Sequence, residues 1–224
     1  LTPKLKKLGM NLETSIEPTI SYIGFNMQDP IVGGNSEQNR YLRQAISIAI
    51  NYEEYINIFL NGRAVSAYGP IPPGIFGSSN DNKNYNPYVY NNNNGKITRK
   101  SIDEAKELLK QANYPNGRNA ITGKPLTIYL DNTGSSPTMK TQIDWYRKQF
   151  TKLGINLFPR TTSWNRLQEK LRTGQTQLFQ VGWNADYPDP ENFLFLLYSH
   201  GETPKDYGEN KSHYNNSEYN RLFN

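Results

Sequence analysis

LTIYLDNTGSSPTMKTQIDWYRKQFTKLGINLF, residues 126–158, is the stretch from which the fold class of this chain can be inferred. It opens and closes with short runs rich in β-branched, aliphatic and aromatic residues, 126–131 and 155–158, which predict two strands. Between them, the Ser-Pro pair at 136–137 is typical of a helix start, and Gly154 of a helix end. The apolar residues of this helix recur at helical spacing and are Ile143, Tyr146, Phe150 and Leu153. A strand, a helix and a strand with short connections predict two parallel strands.

The same pattern continues downstream of this unit. Trp164, Leu167 and Leu171 predict a further helix that ends at Gly174, and QLFQVGW, residues 177–183, predicts a third strand. A β-α-β-α-β order predicts an α/β domain with a largely parallel sheet flanked by helices. Because ligands bind at the carboxyl ends of the strands in such sheets, we expect a functional site at that edge.

Upstream, the chain contributes further elements to the same domain. A strand is predicted at 19–27, helices at 37–50 and 55–60, and another helix beginning at Ser101, which has the pattern of a capping box. Residues 69–95 are rich in Pro, Gly and Asn and are predicted to be a loop region, with the NNNNG sequence as an exposed tip.

VGWNADYPDPENF, residues 181–193, begins at the end of the last predicted strand and carries three acidic residues. One interpretation is a catalytic pair of carboxylates, as in glycoside hydrolysis. Such pairs normally come from separate elements, however, whereas these acids lie on one turn stiffened by proline. Asp189 and Glu191 are better explained as the N-cap of the next helix and as a partner of its dipole.

Asp186 is the acid whose surroundings indicate binding. A carboxylate between two aromatic rings, here Trp183 and Tyr187, suits an ammonium group, because the acid pairs with the charge and the rings shield it from water. The alternative is that Asp186 only stabilises a turn by accepting hydrogen bonds from nearby backbone N–H groups. Residue types alone leave both interpretations open.

Ser135 and Ser136 lie at the predicted start of the helix in the first unit. Free N–H groups at a helix N-terminus bind anions. Together with Asp186, this helix start would suit a ligand with one positive and one negative end, such as a zwitterionic peptide. The alternative is an ordinary helix cap.

Composition excludes several other classes of function. The net charge is +5 and the basic residues do not form a strong cluster, so we expect no nucleic-acid binding. The chain has no cysteine, and His200 and His213 are not at a metal-ligand spacing, so we expect no metal and no cofactor. No apolar stretch approaches the roughly 20 residues needed to cross a membrane. The sequence motifs of serine hydrolases, zinc proteases and P-loop enzymes are missing, so we expect no catalytic residues and no enzyme activity.

Four stretches together resemble one family. GWNADYPDPENFL resembles the signature of the family 5 extracytoplasmic solute-binding proteins, which are oligopeptide-, dipeptide- and nickel-binding components of ABC importers. Three further stretches resemble segments of the same family: YIGFNMQDP with YLRQAISIAINYEEYI, GRAVSAYGPIPPGIFG, and SIDEAKELLKQANY. The match covers nearly the whole chain in the expected order.

The resemblance implies a periplasmic-binding-protein type II fold, in which two lobes close over a ligand. Residues 1–224 would be the second, C-terminal lobe, with the first lobe mostly absent. In peptide-binding members the Asp of the ADY motif binds the ligand's α-amino group, which implies this role for Asp186, with Trp183 and Tyr187 as walls of the cleft. The full set of expected ligand contacts is Asp186, Trp183, Tyr187, Ala185, Asn184, Ser135 and Ser136.

Two departures from the family pattern leave the partner of the ligand's carboxylate unassigned. Gln180 stands where some oligopeptide binders have Arg, and the NTGSSPT loop has no basic residue where some have His. The resemblance implies a monomer in the periplasm, or tethered outside the membrane, that captures peptides and delivers them to ABC permease subunits. The alternatives are a nickel-chelate or oligosaccharide binder of the same family, a sensor domain and, last, a glycoside-acting enzyme.

Overall fold

Seven-residue strands form a mixed sheet at the centre of the molecule. The computed structural model describes residues 2–78, 85–134, 136–201 and 207–224. The strands, in chain order, are β1 (Thr19–Phe25), β2 (Tyr90–Asn93), β3 (Lys96–Arg99), β4 (Thr127–Thr133), β5 (Asn156–Thr162) and β6 (Leu178–Asn184). In the described residues, the central sheet has four strands in the order β1-β6-β4-β5, and β2 pairs with β3 in a separate hairpin.

The helices lie mainly between these strands. They are α1 (Pro3–Lys7), α2 (Glu37–Ala49), α3 (Tyr52–Phe59), α4 (Ile102–Gln111), α5 (Pro137–Thr151), α6 (Trp164–Arg172), α7 (Glu191–Leu194) and α8 (Ser217–Phe223), with 3-10 turns at Pro115–Gly117 and Phe195–Leu197. Within the described ranges, none of these helices is long and apolar enough to cross a membrane.

The predicted β-α-β-α-β order is confirmed as β4-α5-β5-α6-β6. β4 pairs in parallel with both β5 and β6, and β1 runs antiparallel to β6 at the sheet edge. The sheet is therefore largely parallel, as predicted. Helix α5 ends close to the predicted glycine, since Gly154 has a φ of +73°, a conformation that glycine adopts at little cost.

The two faces of the sheet bury different groups of side chains, because successive residues of a strand point to opposite faces. The larger core lies between one face and helices α2, α4 and α5, and its deeply buried members include Leu42, Ile46, Leu109, Ile128, Leu130, Phe150 and Leu153. On the other face, Phe179 packs with Leu167 and Leu171 of α6. Helices α5 and α6 therefore cover opposite faces.

The hairpin of β2 and β3 corrects the predicted loop region 69–95, because β2 lies inside it. Asn94 and Gly95 both have positive φ, 52° and 87°, as a tight hairpin turn requires, and the NNNNG tip is mostly exposed. The prediction was wrong here because asparagine is a poor strand former. Tertiary contacts compensate: the Tyr90 hydroxyl and Arg99 Nε both donate to Glu53 of α3, at 2.7 and 2.8 Å.

Candidate functional site

The carboxyl edge of the sheet contains a point where two neighbouring strands separate. β4 and β6 pair at Leu130–Leu178 and Asp131–Phe179. Beyond these pairs, β4 stays with β5 as far as Thr133, and β6 stays with β1 as far as Asn184. The connections from β4 and into β6 run through helices on opposite faces. This is the switch point at which ligands bind in open α/β sheets, so we take this edge as the candidate site.

The turn after β6 carries Asp186 to this edge. The N–H of Ala185 donates to the Pro18 carbonyl at 2.9 Å, and Asn184 Oδ1 accepts from the Thr19 hydroxyl at 2.9 Å. These two bonds tie the end of β6 to the start of β1. The Asp186 side chain beyond them is exposed, and no hydrogen bond or salt bridge joins its carboxylate to any other described part of the chain.

Two aromatic side chains flank this carboxylate in the sequence, and both are partly exposed. Trp183 is half-buried and meets the Phe195 ring edge-on, with centroids 5.1 Å apart. Tyr187 is 46% exposed, and its hydroxyl donates to the Glu191 carboxylate. This hydrogen bond to Glu191 raises the pKa of Tyr187 above its ordinary value, so the hydroxyl stays neutral near pH 7.

Asn192 is a residue of this site that sequence reasoning missed. It is only 3% exposed, and its Oδ1 accepts from both Trp183 Nε1, at 3.1 Å, and the Asp186 N–H, at 2.9 Å. No sequence pattern predicts this role, because an Asn in the first turn of a short helix is more often a surface residue.

The other two acids of the turn act locally. Asp189 Oδ1 accepts from the Glu191 N–H at 2.8 Å, but α7 begins at Glu191 and Pro190 occupies its N-cap position, so Asp189 bonds to the helix start from one residue before the predicted N-cap position. Glu191 is in the first turn of α7, as expected for a partner of the helix dipole, and also binds Tyr187. Of the three acids, Asp186 alone is left without a described carboxylate partner.

The serine pair at the start of α5 is described only in part. Ser136 is the N-cap, and its hydroxyl accepts from the Met139 N–H at 3.2 Å. Ser135 lies outside the described residues. Because Pro137 has no N–H and the Met139 N–H is already bonded, this helix start has fewer free donors for an anion than a typical one. Ser136 thus has the ordinary capping role, and its predicted contact with ligand stays a prediction.

Trp164 adds a further aromatic side chain to the same edge. It opens α6 directly after β5 and is 52% exposed, whereas Leu167 and Leu171, the other residues of its apolar spacing, are buried.

The ionisable side chains of the described residues form no metal site. In the ranges that the structure describes, no group of three or more His, Asp or Glu side chains could hold a metal ion. His200 lies against Tyr198 and His213 against Tyr207, in separate surroundings.

A family model matches most of the chain. The model of the bacterial extracellular solute-binding proteins, family 5 (middle), matches residues 2–205. Among curated proteins, the chain is 27% identical over 205 residues to heme-binding protein A of Haemophilus influenzae, which covers 92% of this chain and 33% of that protein. It is 25% identical over 181 residues to the dipeptide-binding protein of Escherichia coli, covering 80% of this chain and 30% of that protein.

Solved structures give the same fold. The periplasmic binding protein DppA from Helicobacter pylori, in complex with the peptide STSA, superposes with a TM-score of 0.70 at 27% identity, covering 92% of this chain and 35% of that one. A dipeptide-binding protein from Pseudoalteromonas, in complex with Met-Leu, gives 0.72 at 22% identity, covering 98% and 39%. The chain thus spans about a third of the length of the curated relatives it matches.

Proposed function

The chain belongs to the bacterial extracellular solute-binding proteins of family 5, and on that premise we propose that it is part of the substrate-binding component of an ABC importer. In this proposal it captures peptides outside the cytoplasmic membrane and delivers them to the permease subunits. It acts as a monomer, in the periplasm or tethered to the membrane, and without enzyme activity. Residues 1–224 serve as the second of two lobes that close over the ligand.

One observation carries the choice of a peptide ligand. The Asp186 carboxylate is exposed at the switch point of the sheet, free of described intrachain partners, on a turn that also holds Trp183 and Tyr187. A carboxylate that folding does not neutralise is available for the α-amino group of a peptide. The aromatic rings strengthen this pairing, because they limit the access of water to the charged pair.

The described part of the site supports recognition of the amino end more than of the carboxyl end. Ser136 is occupied as a helix cap, and Gln180 brings no positive charge. We therefore propose no residue of this chain as the partner of the ligand's carboxylate. Lobe closure works through differential affinity: a ligand that contacts both lobes favours the closed state.

The proposal is tested by comparing two ligands that differ only at the amino end, which is a charged ammonium group in one and a neutral acetylated amide in the other. The isotopically labelled chain is titrated with trialanine and with N-acetyl-trialanine, following backbone amide resonances by NMR, which detects millimolar binding. We expect trialanine to shift the resonances of residues 183–187 and to bind at least about tenfold more tightly, because acetylation removes a charged hydrogen-bonding partner. Equal affinity for both peptides would contradict the amine-anchor role.

The related ligand classes are separated by a second measurement. One relative is named a heme-binding protein and another a dipeptide-binding protein, so membership of the family does not determine which ligand is bound. Mass spectrometry of small molecules that co-purify with the protein should detect peptides. Recovery of nickel chelates, oligosaccharides or heme instead would replace the peptide proposal with that ligand class.

A further inference from the structure

We propose that Asn192 is a positioning residue of this site. Its buried side-chain amide fixes the position of the Trp183 ring relative to the Asp186 carboxylate. This inference rests on the proposed function of Asp186 as the amine anchor and deepens it. Asn192 itself is buried beneath the turn, so its role is to act through the residues that meet the ligand.

The contacts of Asn192 are concentrated on one oxygen. Its Oδ1 accepts from the indole N–H of Trp183 at 3.1 Å and from the backbone N–H of Asp186 at 2.9 Å. An amide oxygen has two lone pairs, so it can satisfy both donors at once. One side chain therefore bonds to two of the expected ligand contacts, Trp183 and Asp186.

Hydrogen bonds hold the backbone of Asn192 in place, so the position of its side-chain amide is restrained. The N–H of Asn192 donates to the Asp189 carbonyl at 3.1 Å, and the Phe193 N–H donates to the Pro190 carbonyl at 3.0 Å. The Phe193 side chain is fully buried. The short helix α7 is thus anchored by a core residue next to Asn192.

Each of the two hydrogen bonds restrains a different degree of freedom. The bond to Trp183 fixes the rotation of an indole that is otherwise held at its side by Phe195. The bond to the Asp186 N–H fixes the backbone from which the carboxylate projects. Without Asn192, both donors would lose their buried partner, and the ring and the charge would move independently. Preorganised contacts bind more tightly because less order has to be created on binding.

The positioning is measured first without ligand, by the indole N–H signals. The chain has three tryptophans in different surroundings: Trp183 is bonded to Asn192, Trp164 is exposed, and Trp145 Nε1 is buried without a partner among the described residues. In the unaltered protein we expect the Trp183 indole N–H to exchange with solvent far more slowly than that of Trp164. Equally fast exchange would overturn the proposal without any variant.

Variants then isolate the oxygen. Asn192→Ala should move the Trp183 indole signal and speed its exchange, while the Trp145 and Trp164 signals stay in place. Asn192→Asp retains an accepting oxygen and should restore the Trp183 signal close to its original position. A Trp183 signal unchanged in Asn192→Ala, or moved equally in both variants, would show that the oxygen does not hold the ring.

Titration with trialanine connects the positioning to binding. Asn192→Ala should weaken trialanine binding by about tenfold, the change that corresponds to one lost hydrogen bond, and Asn192→Asp should recover most of it. If Asp186→Asn weakens binding and Asn192→Ala does not, the positioning role fails alone. If Asp186→Asn has no effect either, the proposed function fails, while the indole signals still report on Asn192.

Discussion

His213 is a titratable side chain held inside the fold, away from the candidate site. It is 4% exposed, its φ is +52°, and its ring lies 4.7 Å from that of Tyr207. Its Nδ1 atom is buried without a hydrogen-bond partner in the described chain. Burial lowers the pKa of His213, and the nearby positive charge of Lys211 lowers it further. The folded state therefore holds this imidazole neutral.

The lowered pKa makes stability depend on pH in a defined direction. Between its folded pKa and the value of about 6.5 in an unfolded chain, His213 binds protons more readily when unfolded, so stability falls as pH falls through this window. We expect the urea midpoint to decrease from pH 7.5 to pH 5.5 in the unaltered chain, and to decrease less in His213→Asn. Asparagine suits this replacement because it tolerates positive φ and does not titrate.

The matched control is the other histidine of the chain, His200, which is exposed. His200→Asn should keep the pH dependence of the unaltered chain. If His213→Asn and the unaltered chain lose stability in parallel, the buried imidazole does not cause the effect.

At the scale of single residues, the roles that could be predicted from the sequence are those that depend only on neighbouring residues, such as helix capping. The N-cap role of Ser136 at the start of α5 could be predicted from the capping pattern alone, whereas the pattern placed the N-cap of α7 at Asp189 and the structure has it at Pro190. The role of Asn192 could not be predicted, because it depends on which donors the folded turn brings to its oxygen. The exposure of Trp164 could not be predicted either, because apolar spacing groups it with Leu167 and Leu171, which are buried.

Helix α6 is held on the sheet by a buried ionic group as well as by apolar packing. Asp131 of β4 is fully buried, and it pairs with Arg160 of β5 and with Lys170 of α6. Arg160 Nε lies 3.1 Å from an Asp131 oxygen, and its guanidinium also covers the Tyr129 ring. One carboxylate thus joins two strands and a helix.

Removal of this carboxylate's charge should destabilise the fold. Asp131→Asn leaves Arg160 and Lys170 without their counter-charge, and we expect a loss of about 3 kcal/mol in the free energy of unfolding. This is the low end for a broken buried pair, because Arg160 is partly exposed to water. The measurement is urea unfolding.

A surface pair provides the comparison for this prediction. Asp144 and Arg147 form an ion pair on the exposed side of α5, with side chains 63% and 50% exposed. Asp144→Asn should change the free energy of unfolding by less than about 1 kcal/mol. Equal effects of the two substitutions would mean that the Asp131 group contributes no more than a surface pair.

The elements differ in how far local sequence specifies them. The β4-α5-β5-α6-β6 order could be predicted because apolar spacing, caps and stops agree along this stretch. The β2-β3 hairpin could not, because its asparagines disfavour strands and the contacts of Arg99 and Tyr90 with Glu53 stabilise it from elsewhere in the chain. The ion pairs of Asp131 could not be predicted either, because their partners lie 29 and 39 residues away in the sequence.

At the scale of the whole molecule, the topology of the sheet brings the start of β1 next to the turn after β6, where the candidate site lies. The divergence of β4 and β6 follows from placing α5 and α6 on opposite faces, and the motif that contains Asp186 follows β6 at that point. The largely parallel sheet and the edge at which the candidate site lies were predictable from element order. The antiparallel pairing of β1 with β6, which ties Ala185 to Pro18, was not, because it joins segments at opposite ends of the chain.

Asp186 and Asp189 allow a direct comparison, since both are exposed acids on the same turn. Asp186→Asn and Asp189→Asn remove the same charge with almost no change in shape, and the amide oxygen at 189 can still accept from the Glu191 N–H. Titration of both variants with trialanine should show binding weakened at least about tenfold by Asp186→Asn and changed less than about twofold by Asp189→Asn. Binding by Asp186→Asn that equals binding by the unaltered chain would contradict the amine-anchor role.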